Sequence, residues 1–141
     1  MSRGERAELR RMRQSDVFPP EPFWRLVERY DITASNEQFW ITVVPLMVLH
    51  PHNPGLRPGQ ALANAGVSGP RIERWLRLDV ERARAEAGRL LARLDEGLDW
   101  VQFAGLLRFW SEENRHRFAR DFFLSPAHLE RKRKLTKQEQ S

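Results

Sequence analysis

The sequence of 141 residues contains no cysteine. This absence excludes disulfide bonds, thiolate zinc sites and a thiol nucleophile, and it fits a protein that works in the reducing cytoplasm. The sequence also lacks a long apolar run. The longest, over residues 39–49, contains Thr42 and Pro45 and is far shorter than the roughly 20 residues that span a bilayer. We therefore expect a soluble, cytoplasmic protein that does not enter membranes.

Lysine is scarce, since it occurs at only three positions, all beyond residue 131, and every other basic residue is arginine. The formal net charge of +5 comes from the two ends of the chain. Residues 1–13 and residues 126–141 each have five basic residues against two acidic ones, whereas residues 14–125 have 14 arginines against 15 acids. A basic surface on this body must therefore come from arginines that gather on one face. Arginine is well suited to planar contacts with phosphates and bases.

Residue types that carry out catalysis or bind metals do not form a recognisable motif. His50 and His52 stand close together at the start of a loop, but a metal site there needs further ligands that the sequence does not identify. Adjacent acids such as Glu112 and Glu113 diverge on a helix, and their position suits a first helical turn. There is no glycine-rich phosphate loop and no serine in a nucleophile elbow. The sequence thus predicts a protein without catalytic activity, metal or other cofactor.

Helical periodicity runs through almost every segment, and the alternating pattern of strands and hairpins is absent. The sequence therefore predicts an all-α protein, a helical bundle made of two small packed bundles. Residues 39–49 are expected to form a central buried helix kinked by Pro45, with a strand as the competing interpretation. The predicted organisation is an N-terminal helical lobe (1–56), a C-terminal helical lobe (57–125) and a flexible basic tail (126–141).

Residues 59–79 form the most informative segment, which has the pattern of two helices joined by a tight turn. Gly66 suits the left-handed end of the first helix, Ser68 suits the cap of the second, and Pro70 suits its first turn. An apolar stripe that includes Trp75 anchors the second helix, so that its flank is held rigidly. That flank carries three arginines, Arg71, Arg74 and Arg77.

The first predicted helix carries a second basic feature. Arginines recur along one ridge of it at helical spacing, namely Arg3, Arg6, Arg10 and Arg13. Leu9 and Met12 on the opposite side are positioned to pack against the rest of the lobe. A ridge of this kind contacts phosphates and adds salt-dependent affinity without reading a base sequence. Nucleic-acid binding is therefore the function that the residues favour.

Two other functions stay open from the residues alone. Residues 59–79 also resemble a helix-turn-helix, in which a recognition helix enters the major groove of duplex DNA, as in transcription regulators. Against this, the beginning of the second helix offers Pro70, Arg71 and Glu73 instead of the serine, threonine, glutamine or asparagine often aimed at bases. A purely structural adaptor, held by protein contacts, is the third possibility.

A series of short motifs, each weak alone, occurs in an order that resembles one known family. The motifs are Arg3-Gly-x-Arg-Ala-x-Leu-Arg-Arg11, Gly59-x-Ala-Leu-Ala-Asn64 with its turn, Arg71-Ile72, Arg77-x-Asp79, Leu98-Asp-Trp100, Leu107-x-x-Trp110 followed by Arg115, and Arg120-Asp-Phe-Phe-Leu124. Together they resemble CasB, the small subunit of the type I-E CRISPR surveillance complex Cascade. The resemblance covers most of the chain, from Arg3 to Leu124.

The resemblance implies an all-helical protein with an N-terminal and a C-terminal bundle and no catalytic role. The implied partners are the other Cascade subunits, CRISPR RNA and target DNA, and two copies are expected to form a homodimer within the complex. In the family, the subunit helps to open the target duplex and to hold the displaced strand of the R-loop during antiviral defence. Contacts with the nucleic-acid backbone are suited to this task. The RNA–DNA duplex that forms is about as stable as the DNA duplex that it replaces, so a few contacts can shift the balance.

The resemblance also assigns nucleic-acid-binding residues. Arg10 and Arg11 on the first helix match the basic pair of the family. Arg71 and Arg77 match basic positions after the Ala-Leu-Ala-Asn turn, and Arg115 matches one that follows the tryptophan of the penultimate core helix. Three more arginines are neighbours of these by helical geometry only, namely Arg6, Arg74 and Arg117.

Overall fold

The computed structural model describes residues 1–13 and 18–140. In these residues it contains nine α-helices and two short 3-10 helices, so the all-α prediction is confirmed. The chain divides into two compact units, Met1–Pro51 and His52–Ser141. Within the described ranges, each helix is too short or too polar to cross a membrane.

The first unit is built from α1 (Arg3–Arg11), α2 (Glu21–Arg29), the 3-10 helix Ala34–Asn36 and α3 (Glu37–Leu49). The Ser2 hydroxyl accepts a hydrogen bond from the Glu5 amide (3.1 Å) and caps the beginning of α1. Pro45 lies inside α3, and because residues 39–49 are helical, the competing strand interpretation is wrong.

The core of the first unit brings together side chains of α1, α2 and α3. Leu9 and Phe23 are fully buried there, next to Met12, Ile41 and Val44. Burial of apolar side chains of this size stabilises a fold by about 1.5–3 kcal/mol each. The apolar side of α1 is thus committed to packing, which leaves its arginines at the surface.

The second unit is built from α4 (Pro58–Asn64), α5 (Gly69–Leu76), α6 (Val80–Leu90), the 3-10 helix Leu91–Arg93, α7 (Trp100–Arg108), α8 (Glu112–Phe123) and α9 (Pro126–Gln140). The side chains of Ser68, Asp99 and Ser111 accept hydrogen bonds from first-turn amides of α5, α7 and α8, respectively. Gly66 follows α4 with a φ of +86°, the left-handed conformation that the sequence predicts. The helix-end signals predicted at Gly66 and Ser68 are therefore confirmed.

Trp75 lies at the centre of the core of the second unit and is only 3% exposed. The centroid of its ring lies 6.0 Å from that of Phe103, 4.8 Å from that of Trp110 and 5.4 Å from that of Phe118. Its indole Nε1 also donates a hydrogen bond to the carbonyl oxygen of Ala83 in α6 (3.1 Å). The tryptophan expected to hold α5 rigid therefore links α5 to α6, α7 and α8.

A close approach of α4 to α8 requires glycine at position 59. A Cβ atom on Gly59 would lie 2.6 Å from the carbonyl oxygen of Phe118 and 2.7 Å from the amide nitrogen of Phe122. Both contacts are with backbone atoms of α8, which cannot rotate away as a flexible side chain can. A side chain of any size at position 59 would push the two helices apart.

Residues 52–56, which are predicted to belong to the first lobe, lie in the second unit. The Asp99 amide donates to the carbonyl oxygen of Leu56 (2.8 Å), and Asp99 Oδ2 accepts from the Gly55 amide (3.1 Å). The hydrogen bond from Gly55 is the main reason why the pKa of Asp99 lies below its ordinary value. This segment is therefore tied to the beginning of α7, a partner that is distant in the sequence.

The end of the chain differs from the predicted flexible tail, because residues 126–140 form α9. The Ser125 hydroxyl accepts a hydrogen bond from the His128 amide (3.3 Å) at the beginning of this helix. The imidazole of His128 packs on Phe122 and Phe123 of α8, with ring centroids 4.9 and 5.3 Å away. A composition rich in charge suggests a solvated end, but these tertiary contacts dock the first turn of the helix.

Candidate nucleic-acid interface

In the first unit, three predicted site residues lie on the exposed side of α1. Arg6, Arg10 and Arg11 are all exposed, and none of them pairs with a carboxylate among the residues that the structure describes. Arg10 and Arg11 occupy the last turn of α1, where the carbonyl end of the helix favours cations. Glu5 pairs instead with Arg25 of α2 (3.4 Å). The basic side of α1 is therefore open to an anionic ligand.

In the second unit, a pocket of about 250 Å³ lies between α5 and α6. Arg71, Arg74 and Arg89 line it, with Glu86 as the acidic neighbour. Arg71 Nη2 donates a hydrogen bond to the carbonyl oxygen of Arg89 (2.9 Å), which fixes the guanidinium near the end of α6. Three guanidinium groups against one carboxylate suit a phosphate group.

Arg89 is a member of this pocket that is not among the predicted site residues. The sequence of α6 and the following 3-10 helix shows that Arg82, Arg89 and Arg93 recur away from the apolar face, but this pattern does not tell which of them approaches α5. Only the packing of α5 on α6 distinguishes Arg89 from the other two.

Arg115 and Arg77 lie at the carboxyl end of α5. Arg115 Nη1 donates to the carbonyl oxygen of Leu76 (3.0 Å), and its Nε donates to that of Ser111 (3.2 Å). Its guanidinium carbon lies 5.5 Å from the ring centroid of Trp110. Arg77, the residue after Leu76, is exposed. Arg115 therefore has internal contacts that a freely exposed binding residue lacks.

Arg117 lies at a different place on α8. Its guanidinium pairs with Glu113 at 3.5 Å, and the two side chains are 66% and 84% exposed. Exposed pairs of this kind contribute at most about 1 kcal/mol, so that a phosphate can compete for the arginine. The five candidate arginines of the second unit thus lie in three places, namely the α5/α6 pocket, the carboxyl end of α5 and the exposed face of α8.

Comparison with known proteins assigns the family. A sequence model of the family described as CRISPR-associated protein Cse2 matches residues 5–123. The chain belongs to the Cse2 family. The CRISPR system Cascade subunit CasB of Escherichia coli (strain K12) is 27% identical over 139 residues, which cover 89% of this chain and 87% of that protein. The resemblance inferred from the motifs is therefore confirmed.

Solved structures of Cse2-like proteins have the same fold. A chain in the crystal structure of E. coli Cascade bound to a PAM-containing double-stranded DNA target matches with a TM-score of 0.70 and 25% identity, over 89% of this chain and 88% of that one. The crystal structure of CasB from Thermus thermophilus matches with a TM-score of 0.65 and 21% identity, over 84% of each chain. The second likeness shows the fold alone.

The Cse2 match includes all eight predicted site residues and ends before α9 begins. None of the eight assignments to nucleic acid is tested by the match, so each stays a prediction. The structure adds a distinction among them. Arg6, Arg10, Arg11, Arg74 and Arg77 are exposed without a carboxylate partner among the described residues, whereas Arg71, Arg115 and Arg117 have internal partners.

In this Cse2-family chain, α8 and α9 pack against one side of the beginning of α5, at Gly69. A Cβ atom on Gly69 would lie 3.3 Å from ring carbons of both Phe123 and His128. In a helix-turn-helix, the corresponding residues of the recognition helix contact base edges in the major groove. This packing closes only the Gly69 side of α5, whereas Pro70 and Glu73 are exposed, so the helix-turn-helix alternative stays open.

The surroundings of His50 and His52 do not form a metal site among the residues that the structure describes. His52 Nδ1 accepts a hydrogen bond from the Trp100 amide (3.0 Å). Burial lowers the pKa of His50 and so favours its neutral form. Within the described ranges, no group of three or more histidine, aspartate or glutamate residues has the arrangement needed to hold a metal ion.

Proposed function

We propose that this chain is a non-catalytic, cytoplasmic subunit of a Cascade complex that stabilises the R-loop formed by CRISPR RNA on target DNA. It binds nucleic acid without sequence preference and holds the displaced strand. Its partners are the other Cascade subunits, CRISPR RNA, target DNA and a second copy of the chain. The observation that carries this proposal is the Cse2 match over residues 5–123, to which the similarity to the E. coli Cascade subunit CasB adds support.

The placement of the arginines supports this function physically. Exposed guanidinium groups on α1 and α5 can each contact a phosphate, and phosphate contacts carry affinity but no sequence information. R-loop formation exchanges one duplex for another of similar stability, so a few such contacts are enough to shift the balance. A protein that must accept any displaced strand gains nothing from reading bases.

The direct test is fluorescence anisotropy of the full chain with labelled single strands of unrelated sequence. We expect the same affinity for each strand and a steep linear fall of log affinity with log salt. Arg74→Ala should weaken binding to every strand alike. Arg82→Ala is the matched control, because Arg82 is an exposed arginine of α6 that does not line the α5/α6 pocket.

The outcomes separate the three candidate functions. Tight binding to one particular duplex at about 200 mM salt would support the helix-turn-helix alternative. Variants of the predicted arginines that lose assembly with the other subunits but keep their affinity for strands would support a structural adaptor. If the chain binds neither strand nor duplex at low salt, and its removal from Cascade leaves R-loop formation unchanged, the proposed function is wrong.

A further inference from the structure

A groove of about 610 Å³ lies between α7 and α8, apart from the α5/α6 pocket. Two large apolar side chains line it while exposed to solvent, Phe109 by 60% and Val101 by 78%. A single exposed apolar residue is ordinary on a protein surface. Two that line the same concave surface suggest a ligand with an apolar face.

The backbone that carries Phe109 is held firmly. Its amide donates to the carbonyl oxygen of Gly105 (2.9 Å), and its own carbonyl oxygen accepts from the Ser111 amide (2.8 Å) and Asn114 Nδ2 (2.9 Å). The next residue, Trp110, points inward and donates from Nε1 to the carbonyl oxygen of Leu78 (2.9 Å). The fold therefore uses Trp110 for packing, and a firmly held backbone presents the Phe109 side chain to solvent.

Gly105 of α7 also lines the groove, and packing does not require glycine there. A Cβ atom on Gly105 would meet no heavy atom within 4 Å, and its φ is not in the left-handed region. Glycine in the interior of a helix is destabilising relative to alanine or leucine. Because position 105 has no side chain, the groove beside Phe109 contains open space that a longer side chain would fill.

The charge around the groove is positive. Arg57, Arg117 and Arg120 line it against one carboxylate, that of Asp121. Arg57 pairs with Asp121 at 3.0 Å, whereas Arg120 has no carboxylate partner among the residues that the structure describes. The guanidinium carbon of Arg108 lies 5.4 Å from the ring centroid of Phe109. A ligand that fits both the ring and these cations combines a flat apolar face with negative charge.

We propose that the α7/α8 groove binds a nucleobase of single-stranded nucleic acid. The base stacks on Phe109 in the open space beside Gly105, and the adjoining phosphates contact Arg117 and Arg120. This inference rests on the proposed function and adds to it a site for bases beside the contacts with phosphates. Single-strand-binding proteins combine these two elements, because every base has a face that stacks, whatever its sequence. An acidic peptide also matches the charge, but it does not call for an exposed aromatic ring with open space beside it.

The test compares two single strands with equal numbers of phosphates, one of about ten thymidines and one of about ten abasic units. The full chain should bind the thymidine strand about tenfold more tightly, which is the size of one stacking contact. Phe109→Leu keeps an apolar side chain but removes the flat face, so it should abolish this preference. Phe109→Tyr is the matched control and should retain it.

A second variant approaches the same groove from α7. Gly105→Leu should fill the space beside Phe109 and abolish the thymidine preference, while urea unfolding shows a helix at least as stable as the original. For both variants we expect unchanged binding of the abasic strand, since the arginines are intact. Loss of the preference in Gly105→Leu together with normal folding would exclude a merely structural effect.

The outcomes distinguish this inference from the function on which it rests. Salt-dependent binding of both strands with no preference for thymidine, or a preference that survives in Phe109→Leu, would overturn the base site and leave the proposed function standing. Failure to bind either strand at low salt would overturn the base site, and it would overturn the proposed function as well if removal of the chain from Cascade leaves R-loop formation unchanged. If the Phe109 and Gly105 variants lose assembly with other subunits but keep the thymidine preference, the groove binds a protein segment and the base site is wrong.

Discussion

Arg115 Nη1 donates a hydrogen bond to the carbonyl oxygen of Leu76, 3.0 Å away. Leu76 is the last residue of α5, and the carbonyl groups of a final helical turn have no partner within their own helix. Arg115 of α8 therefore completes the end of another helix, and its positive charge lies where the helix dipole favours it. A residue assigned to nucleic acid by family resemblance thus also has a role in the fold.

The same relationship occurs at two more helix ends. Arg71 of α5 donates to the carbonyl oxygen of Arg89 in α6 (2.9 Å), and Arg84 Nε of α6 donates to that of Leu107 in α7 (2.8 Å). The carboxyl ends of α5, α6 and α7 are each contacted by a guanidinium from another helix. Arginine in this chain therefore serves helix packing as well as any anionic ligand.

Replacement of Arg115 should lower stability. We expect Arg115→Ala to reduce the free energy of unfolding by about 2 kcal/mol, because a partly buried carbonyl loses a charged donor. Arg117→Ala is the control from the same helix, and it should cost less than about 1 kcal/mol because its ion pair with Glu113 is exposed. Urea unfolding followed by circular dichroism measures both. Equal losses in the two variants would contradict the structural role of Arg115.

Gly59 should tolerate no side chain, since its Cβ position lies 2.6 Å from a backbone oxygen of α8. We expect Gly59→Ala to destabilise the second unit by about 3 kcal/mol, the upper end of the usual cost of overpacking. Gly105→Ala is the matched control, and it should raise stability by about 0.5–1 kcal/mol because its Cβ meets nothing. Thermal unfolding compares the two, and a neutral Gly59→Ala variant would show that α4 can move away from α8.

Much of the fold follows from signals within a few residues of one another. Ser68 and Ser111 cap α5 and α8 through amides only three residues ahead, so the sequence reveals both helix starts. The apolar side of α1 is predicted correctly for the same reason, because Leu9 and Met12 belong to a single helical period.

The features that the sequence does not reveal depend on distant partners. The helix α9 in place of a tail is docked by contacts of His128 with the rings of α8. The Arg115 guanidinium finds its acceptor at Leu76, 39 residues away, and Arg89 joins the α5/α6 pocket only through packing. The composition of a segment gives the number of its charged side chains, but tertiary contacts determine which groups those side chains contact.

Docking of α9 should depend on pH through His128. Burial against the rings of α8, with help from Arg131 and Lys132, lowers the pKa of His128 from its ordinary value of 6.5. Below pH 6.5, His128 is therefore protonated in the unfolded chain but still neutral in the folded chain. The free energy of unfolding falls as the pH decreases from 6.5 towards the lowered pKa of the folded state.

His128→Phe keeps a ring in this position and removes the proton. We expect the variant to lose the part of the pH dependence that belongs to His128, which hydrogen exchange of the α9 amides at pH 7.5 and 5.5 detects. His50 in the first unit also has a lowered pKa, so the comparison is the difference between the two proteins at each pH. Parallel exchange profiles would show that His128 does not control the docking of α9.

The basic end of α1 should contribute phosphate contacts, and the salt dependence of the affinity measures their number. Each contact to a single strand adds about 0.7 to the slope of log affinity against log salt, so Arg10→Ala with Arg11→Ala should reduce the slope by about 1.4. Both side chains are exposed, and we expect the unfolding free energy to change by less than about 0.5 kcal/mol. Arg25→Ala in the same unit is the control, because Arg25 is an exposed arginine that lies on α2 and not on α1. A slope that stays unchanged in the double variant, while Arg74→Ala lowers it, would remove α1 from the binding surface and leave α5 in it.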